Sequence, residues 1–132
     1  MGVPAARILV VDDEDLVRDY FENALTAGGY EVDLAATAER AYALLAEREY
    51  ALVIADWWLD DGNGLSIAND ASSRGAKTFV SSGFELELLG ENAERHRLVR
   101  KPVSPNDLLA AVRDAIGAPG ISRIGAKPET LR

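Results

Sequence analysis

The chain has 132 residues, with 22 Asp and Glu against 14 Lys and Arg, a formal net charge of −8 and a pI near 4.6. That length suits one domain, and 48% apolar residues suffice for a packed core, which excludes a disordered chain. The excess negative charge repels phosphate backbones and argues against nucleic-acid binding. The absence of cysteine excludes a disulfide scaffold, an iron–sulfur site, a Cys-ligated zinc and a Cys nucleophile, and a lone histidine, His96, excludes a multi-His metal site. No apolar run approaches the roughly 18 residues of a membrane span. Residues 1–7 lack a basic segment followed by an apolar one, so no secretory signal is expected and a cytoplasmic protein is.

Ile8 to Val11 is a short, continuous apolar run, rich in β-branched residues, that suits a strand buried on both faces. Two aspartates stop it. Leu16, Val17, Tyr20, Phe21, Ala24 and Leu25 then repeat with helical spacing up to Gly28-Gly29. Glu31 to Ala35 reads as a second strand. Thr37 can cap a second helix that turns Ala38, Ala41, Tyr42 and Leu45 inward. Ala51 to Ala55 is a third buried strand, ending in Asp56 and followed by the polar loop Asp60-Asp61-Gly62-Asn63-Gly64.

A weaker helix is expected from Leu65 to about Arg74, then a strand from Thr78 to Ser82, a helix over Phe84 to Arg95 weakened by Gly90, and a short strand at Leu98-Val99. The last helix is the best marked: Ser104 at the N-cap, Pro105 at the first turn, Asp107 completing a capping box, an apolar face of Leu108, Leu109, Val112 and Ile116, and Gly117 as the stop. Residues 118–132 read as a loose tail. Strand and helix alternate five times, which implies a parallel sheet covered on both faces by right-handed crossovers. Ligands bind such sheets beyond the carboxyl ends of the strands.

Those ends carry chemistry. Asp12-Asp13-Glu14 follows the first strand, Asp56 ends the third, Ser81-Ser82 ends the fourth and Lys101 follows the fifth. Carboxylates gathered so closely raise one another's pKa or require a counter-charge. A hard cation with oxygen ligands supplies it, and Mg²⁺ suits a site of few carboxylates completed by water and phosphate oxygens.

Val10-Val11-Asp12-Asp13-Glu14, Asp56 eight residues before Gly64, the Ser82-Gly83-Phe84 step and Lys101-Pro102 together resemble the receiver domain of bacterial two-component response regulators. The likeness covers residues 7–117, and implies a flavodoxin-like (β-α)5 fold: a doubly wound, five-stranded parallel sheet with strand order 2-1-3-4-5. It implies phosphorelay signalling, in which Asp56 accepts a phosphoryl group from a sensor histidine kinase or a histidine phosphotransfer protein. Carried over residue by residue, Asp13 binds Mg²⁺ directly, Asp12 mainly through water, and the Trp58 backbone carbonyl is a further ligand beside Asp56. Ser82 hydrogen-bonds the phosphoryl group and Lys101 pairs with it. Such a domain is a phospho-acceptor rather than a general enzyme, and signals by binding a downstream protein. With only residues 118–132 beyond it, no output domain is expected.

The chain departs from the family pattern in places. Asp60-Asp61 replaces the usual proline, adding negative charge near the site. The 26-residue interval from Asp56 to Ser82 is slightly short and leaves Ser81 as a rival phosphate-sensing hydroxyl. Leu98 stands where the family has an aromatic switch residue, so the signal is expected to leave through the Phe84 loop and the helix containing Gly90. Trp57 reads as packing, His96 as a solvated surface residue, and Arg95, Arg97 and Arg100 as a small basic face that is either solvated or a partner contact.

Three other readings place different demands on these positions. A Mg²⁺-dependent phosphatase of the haloacid dehalogenase type requires a second Asp where Trp58 stands. A receiver-like scaffold that ignores phosphate would not require Asp13, Asp56 and Lys101 together, while Leu98 and Asp60 fit it. A flavodoxin-like FMN site would require a Ser/Thr-rich loop in place of Asp12-Asp13-Glu14.

Overall fold

The computed structural model describes residues 6–83 and 96–119. Five parallel strands form the sheet: β1 (Arg7–Val11), β2 (Glu31–Ala35), β3 (Leu52–Asp56), β6 (Lys77–Ser82) and β7 (Arg97–Arg100), in the order β2-β1-β3-β6-β7. This is the expected doubly wound order. The helices are α1 (Asp15–Ala27), α2 (Ala38–Glu47), α3 (Gly64–Ser73) and α4 (Pro105–Ile116). The expected helix over 84–95, with Phe84 and Gly90, lies outside the described residues, as does the tail from residue 120.

The central strands are apolar on both faces because both faces are covered. Leu9, Val11, Val53 and Ala55 pack with Ala38, Ala41 and Leu45 of α2 and with Ile67 and Ala71 of α3. Ile8, Val10, Leu52, Ile54, Phe79 and Val99 pack with Phe21 and Leu25 of α1 and Leu108 and Val112 of α4. Burying each large apolar side chain contributes about 1.5–3 kcal/mol, so covering both faces of β1 and β3 stabilises the centre of the sheet.

The helix ends follow the signals in the sequence. Thr37 accepts from the Arg40 amide and Ser104 from the Asp107 amide; Gly117, at φ 81°, ends α4. Helical faces are less legible. Leu16 is 83% exposed and Tyr42 points outward, while Leu44 takes the inward place in α2. In both helices an apolar residue lies just off the stripe that meets the sheet, where spacing alone does not decide its side.

The polar loop after Asp56 is more ordered than expected. Trp58–Leu59 (β4) and Gly62–Asn63 (β5) pair antiparallel, with Asp60 and Asp61 at the turn. Leu59 is buried in the core beneath α2 and α3, which anchors the hairpin.

His96 corrects the expectation of a solvated residue: it is 6% exposed. Its Nδ1 meets the Thr78 hydroxyl, and its Nε2 lies 2.8 Å from Asn69 Oδ1. The flanking arginines suggested a surface run, but the ring inserts between β6 and α3.

Candidate functional site

The carboxyl ends of β1, β3, β6 and β7 meet at one edge of the sheet, and the residues singled out in the sequence meet there. Asp12 extends β1 by one backbone hydrogen bond, its amide donating to the Ala35 carbonyl at 3.1 Å. The Lys101 amide donates to the Ser82 carbonyl at 2.8 Å and continues the pairing of β6 with β7. The backbone therefore fixes where both charged side chains start.

Among the described residues, Asp12, Asp13 and Asp56 form a cluster in which one carboxylate oxygen from each lies within 4.8 Å of the others. Lys101 Nζ bridges two of them, 2.9 Å from Asp56 Oδ1 and 3.0 Å from Asp12 Oδ2. Asp12 is 1% exposed, and its other oxygen, Oδ1, accepts from the Glu14 amide at 3.0 Å. Both Asp12 oxygens thus have a partner, which is what a buried carboxylate requires. Arg18 adds a bond that sequence reasoning missed: Nη1 donates to the Asp12 carbonyl oxygen at 2.7 Å.

Asp56 sits where ionisation is costly. Burial pushes its carboxyl up to about 6, with Asp12 and Asp13 adding to the rise and Lys101 opposing it. Burial alone would lower the Lys101 ammonium, but its bonds to Asp56 and Asp12 prevail and the net shift is upward. One ammonium faces three carboxylates, so the cluster retains capacity for a cation. Its donors are all hard oxygens, which fits Mg²⁺.

Gly64 shapes the Asp56 backbone. Its amide donates to the Trp57 carbonyl at 3.0 Å, and a Cβ at this position would collide with the Asp56 carbonyl oxygen. No other residue fits so close an approach.

An open cavity of about 250 Å³ lies over the cluster, lined by Asp13, Glu14, Asp56, Trp57, Trp58, Ser82, Gly83 and Lys101. Trp58 is 67% exposed at its mouth. Ser82 belongs to the lining. Ser81 does not: its hydroxyl is buried and makes no hydrogen bond among the described residues. The two candidate hydroxyls thus lie in different surroundings.

The departures from the family pattern also find places. The Asp61 carboxylate does not face the acidic cluster; it accepts from the Ala38 and Glu39 amides at the start of α2. Leu98 lies on the edge strand and is partly exposed. Arg97 pairs with Asp114 at 3.2 Å and lies over the Phe79 ring, while Arg100 donates to the Gly83 carbonyl at 3.1 Å. The expected basic face is thus partly engaged within the fold, and Arg95 lies outside the described residues.

Comparison with known proteins agrees with this geometry. A family model described as the response regulator receiver domain matches residues 8–113. The phosphate regulon transcriptional regulatory protein PhoB of Pseudomonas aeruginosa is 28% identical over 121 residues, covering 86% of this chain and 52% of that protein. The chain thus spans about half the length of this relative. A CheY-like receiver domain protein from Methanospirillum hungatei is 31% identical with a TM-score of 0.76, covering 84% of this chain and 93% of that one. The response regulator protein TrrA from Thermotoga maritima, solved in complex with Mg(2+)-BeF, is 27% identical with a TM-score of 0.76, covering 83% and 98%. No helix among the described residues is long and apolar enough to cross a membrane. With the family model spanning most of its length and the acidic cluster assembled at the strand ends, this chain belongs to the response regulator receiver domain family of two-component signalling, which is not an enzyme family.

Proposed function

We propose that the chain is a phospho-acceptor, that Asp56 receives the phosphoryl group, and that residues 7–117 are the unit that does so. The observation that carries this reading is the Lys101 bridge to Asp56 and Asp12 beside the open cavity: a cation already stands where phosphoryl oxygens would arrive. Phosphoryl transfer demands positioning and charge stabilisation more than covalent work by the protein. An Asp56 carboxylate oxygen attacks phosphorus, the bond from phosphorus to the donor nitrogen breaks, and the donor imidazole leaves. The donor is then a sensor histidine kinase or a histidine phosphotransfer protein, and the readout is a downstream protein.

Asp13 and Asp56 would hold Mg²⁺ directly, with the Trp58 carbonyl as a further ligand. Asp12 would act mainly through water, consistent with both its oxygens being engaged. The ion, when bound, would neutralise charge on the phosphoryl oxygens. That TrrA was solved in complex with Mg(2+)-BeF supports the expectation of a Mg²⁺ site. Ser82, in the cavity wall, would hydrogen-bond the product, and Lys101 would turn from the carboxylates to the new oxygens. That exchange of partners converts a local charge change into motion of the β6 and β7 ends.

Beryllofluoride, a phosphoryl mimic, tests the reading. With Mg²⁺ it is expected to change the fluorescence of Trp57 and Trp58 in the wild type and not in Asp56→Asn. An equal change in both proteins would contradict it.

A further inference from the structure

Asp61 occupies the tip of the β4–β5 hairpin, two residues beyond the buried Leu59. Its Oδ1 accepts from the Ala38 amide at 2.7 Å and its Oδ2 from the Glu39 amide at 3.1 Å. These are the first two amides of α2, which have no partner within the helix. Thr37 takes the next, the Arg40 amide at 3.1 Å. The helix start is thus capped twice, once from its own chain and once from the hairpin. The helix dipole favours a carboxylate there, and the Asp61 carboxyl is held below its ordinary value by the two amides.

The bond spans 23 residues and fastens the hairpin to a different layer of the fold. Gly62 lies against the same turn: a Cβ there would stand 3.1 Å from the Ala38 Cβ. The hairpin is therefore held at three points, by Leu59 in the core, by Asp61 on α2, and by Asn63, which caps α3 through the Ser66 amide at 2.9 Å. Trp58 lies on the strand between Asp56 and these anchors, and lines the acidic cavity.

We propose that Asp61 is a positioning residue for the Asp56 site: by clasping the hairpin to the start of α2, it holds Trp58 at the mouth of the acidic cavity, where its backbone can complete the metal site. This role rests on the reading of Asp56 as the phospho-acceptor. Asp61 touches neither the acidic cluster nor the cavity and acts only through the loop.

The test compares the full-length wild type with Asp61→Ala, Asp61→Asn and Thr37→Ala. Thr37→Ala removes a cap from the same helix end without touching the hairpin, so it reports what loss of helix stability does alone. Mg²⁺ affinity is read by titration of Trp57 and Trp58 fluorescence, and phosphorylation by mass gain with a small phosphodonor. Asp61→Ala is expected to weaken Mg²⁺ binding about tenfold, the lower end for loss of a supporting partner, and to slow phosphorylation at subsaturating Mg²⁺, with saturating Mg²⁺ restoring the rate. Thr37→Ala is expected to bind Mg²⁺ as the wild type does. Asp61→Asn keeps one acceptor oxygen and is expected to lose less, in the same direction.

A wild-type Mg²⁺ affinity in Asp61→Ala, or an equal loss in Thr37→Ala, would overturn the proposal while leaving Asp56 as the acceptor. If the alanine variant does not fold, a wild-type affinity in Asp61→Asn overturns it equally. A wild type that takes up no phosphoryl group overturns the Asp56 reading, and the role of Asp61 with it.

Discussion

Lys101 Nζ lies 2.9 Å from Asp56 Oδ1, and this contact joins the ends of β3 and β7 across the intervening β6. The same ammonium reaches Asp12 at 3.0 Å, so a single cation holds three strand ends to one another. Lys101→Ala is expected to lower the stability of the metal-free protein by about 3 kcal/mol, because it leaves the buried Asp12 carboxylate uncompensated. Mg²⁺ binding is expected to be unchanged or slightly tighter, since one competing positive charge is gone. Phosphorylation is expected to be slow. Chemical denaturation and a Mg²⁺ titration check both halves; a tenfold loss of Mg²⁺ affinity, about 1.4 kcal/mol, would show that Lys101 supports the metal site rather than the phosphoryl group.

The raised pKa of Asp56 has a stability consequence with a definite sign. In the metal-free fold the carboxyl titrates near 6, against 3.8 in an ordinary environment. Between those values the folded state holds a proton that the unfolded chain has lost, so stability falls as pH rises through this window and levels off above it. Asp56→Asn lacks this proton. The stability gap between Asp56→Asn and wild type is therefore expected to widen from about pH 4 to about pH 6, by roughly 2–3 kcal/mol, and then stay constant. Parallel denaturation curves at all pH values would contradict this.

The two adjacent serines are expected to behave oppositely. Ser81 buries a hydroxyl with no hydrogen bond among the described residues, so Ser81→Ala removes an uncompensated polar group and is expected to be neutral or stabilising by up to about 1 kcal/mol. Ser82→Ala is expected to keep the fold and Mg²⁺ binding but to lose most of the response to beryllofluoride. The reverse pattern would return the sensing role to Ser81.

The strand ends were the most legible part of the sequence. Asp12-Asp13 and Asp56 directly follow short apolar runs and Lys101 follows one by a single residue, and a parallel sheet brings such ends together whatever the details of its helices. The Thr37, Ser104 and Gly117 boundaries were equally readable, because caps are local chemistry. What could not be read depends on partners distant in the chain. Asp61 looked like added charge near Asp56, and only the fold shows its carboxylate on α2. Leu16 and Tyr42 satisfied a helical spacing yet face outward, since spacing does not say where the sheet ends.

His96 is the clearest such case, an imidazole between two arginines that nevertheless lies buried against Thr78 and Asn69. Its removal leaves two polar groups without their partner and a cavity between β6 and α3. His96→Ala is expected to cost about 2–4 kcal/mol, measured as a lowered denaturation midpoint. A change within about 0.5 kcal/mol, the range for ordinary surface substitutions, would place the ring outside the core.

Asp56 is proposed to accept the phosphoryl group in a reaction that requires Mg²⁺. Intact-mass measurement after incubation with a small phosphodonor tests it most directly. The wild type with Mg²⁺ is expected to gain the mass of one phosphoryl group, and to gain nothing in EDTA. Asp56→Asn, folded by circular dichroism, is expected to gain nothing under either condition. A full gain in Asp56→Asn would place the acceptor elsewhere, and an undiminished gain of the wild type in EDTA would remove the metal from the reaction.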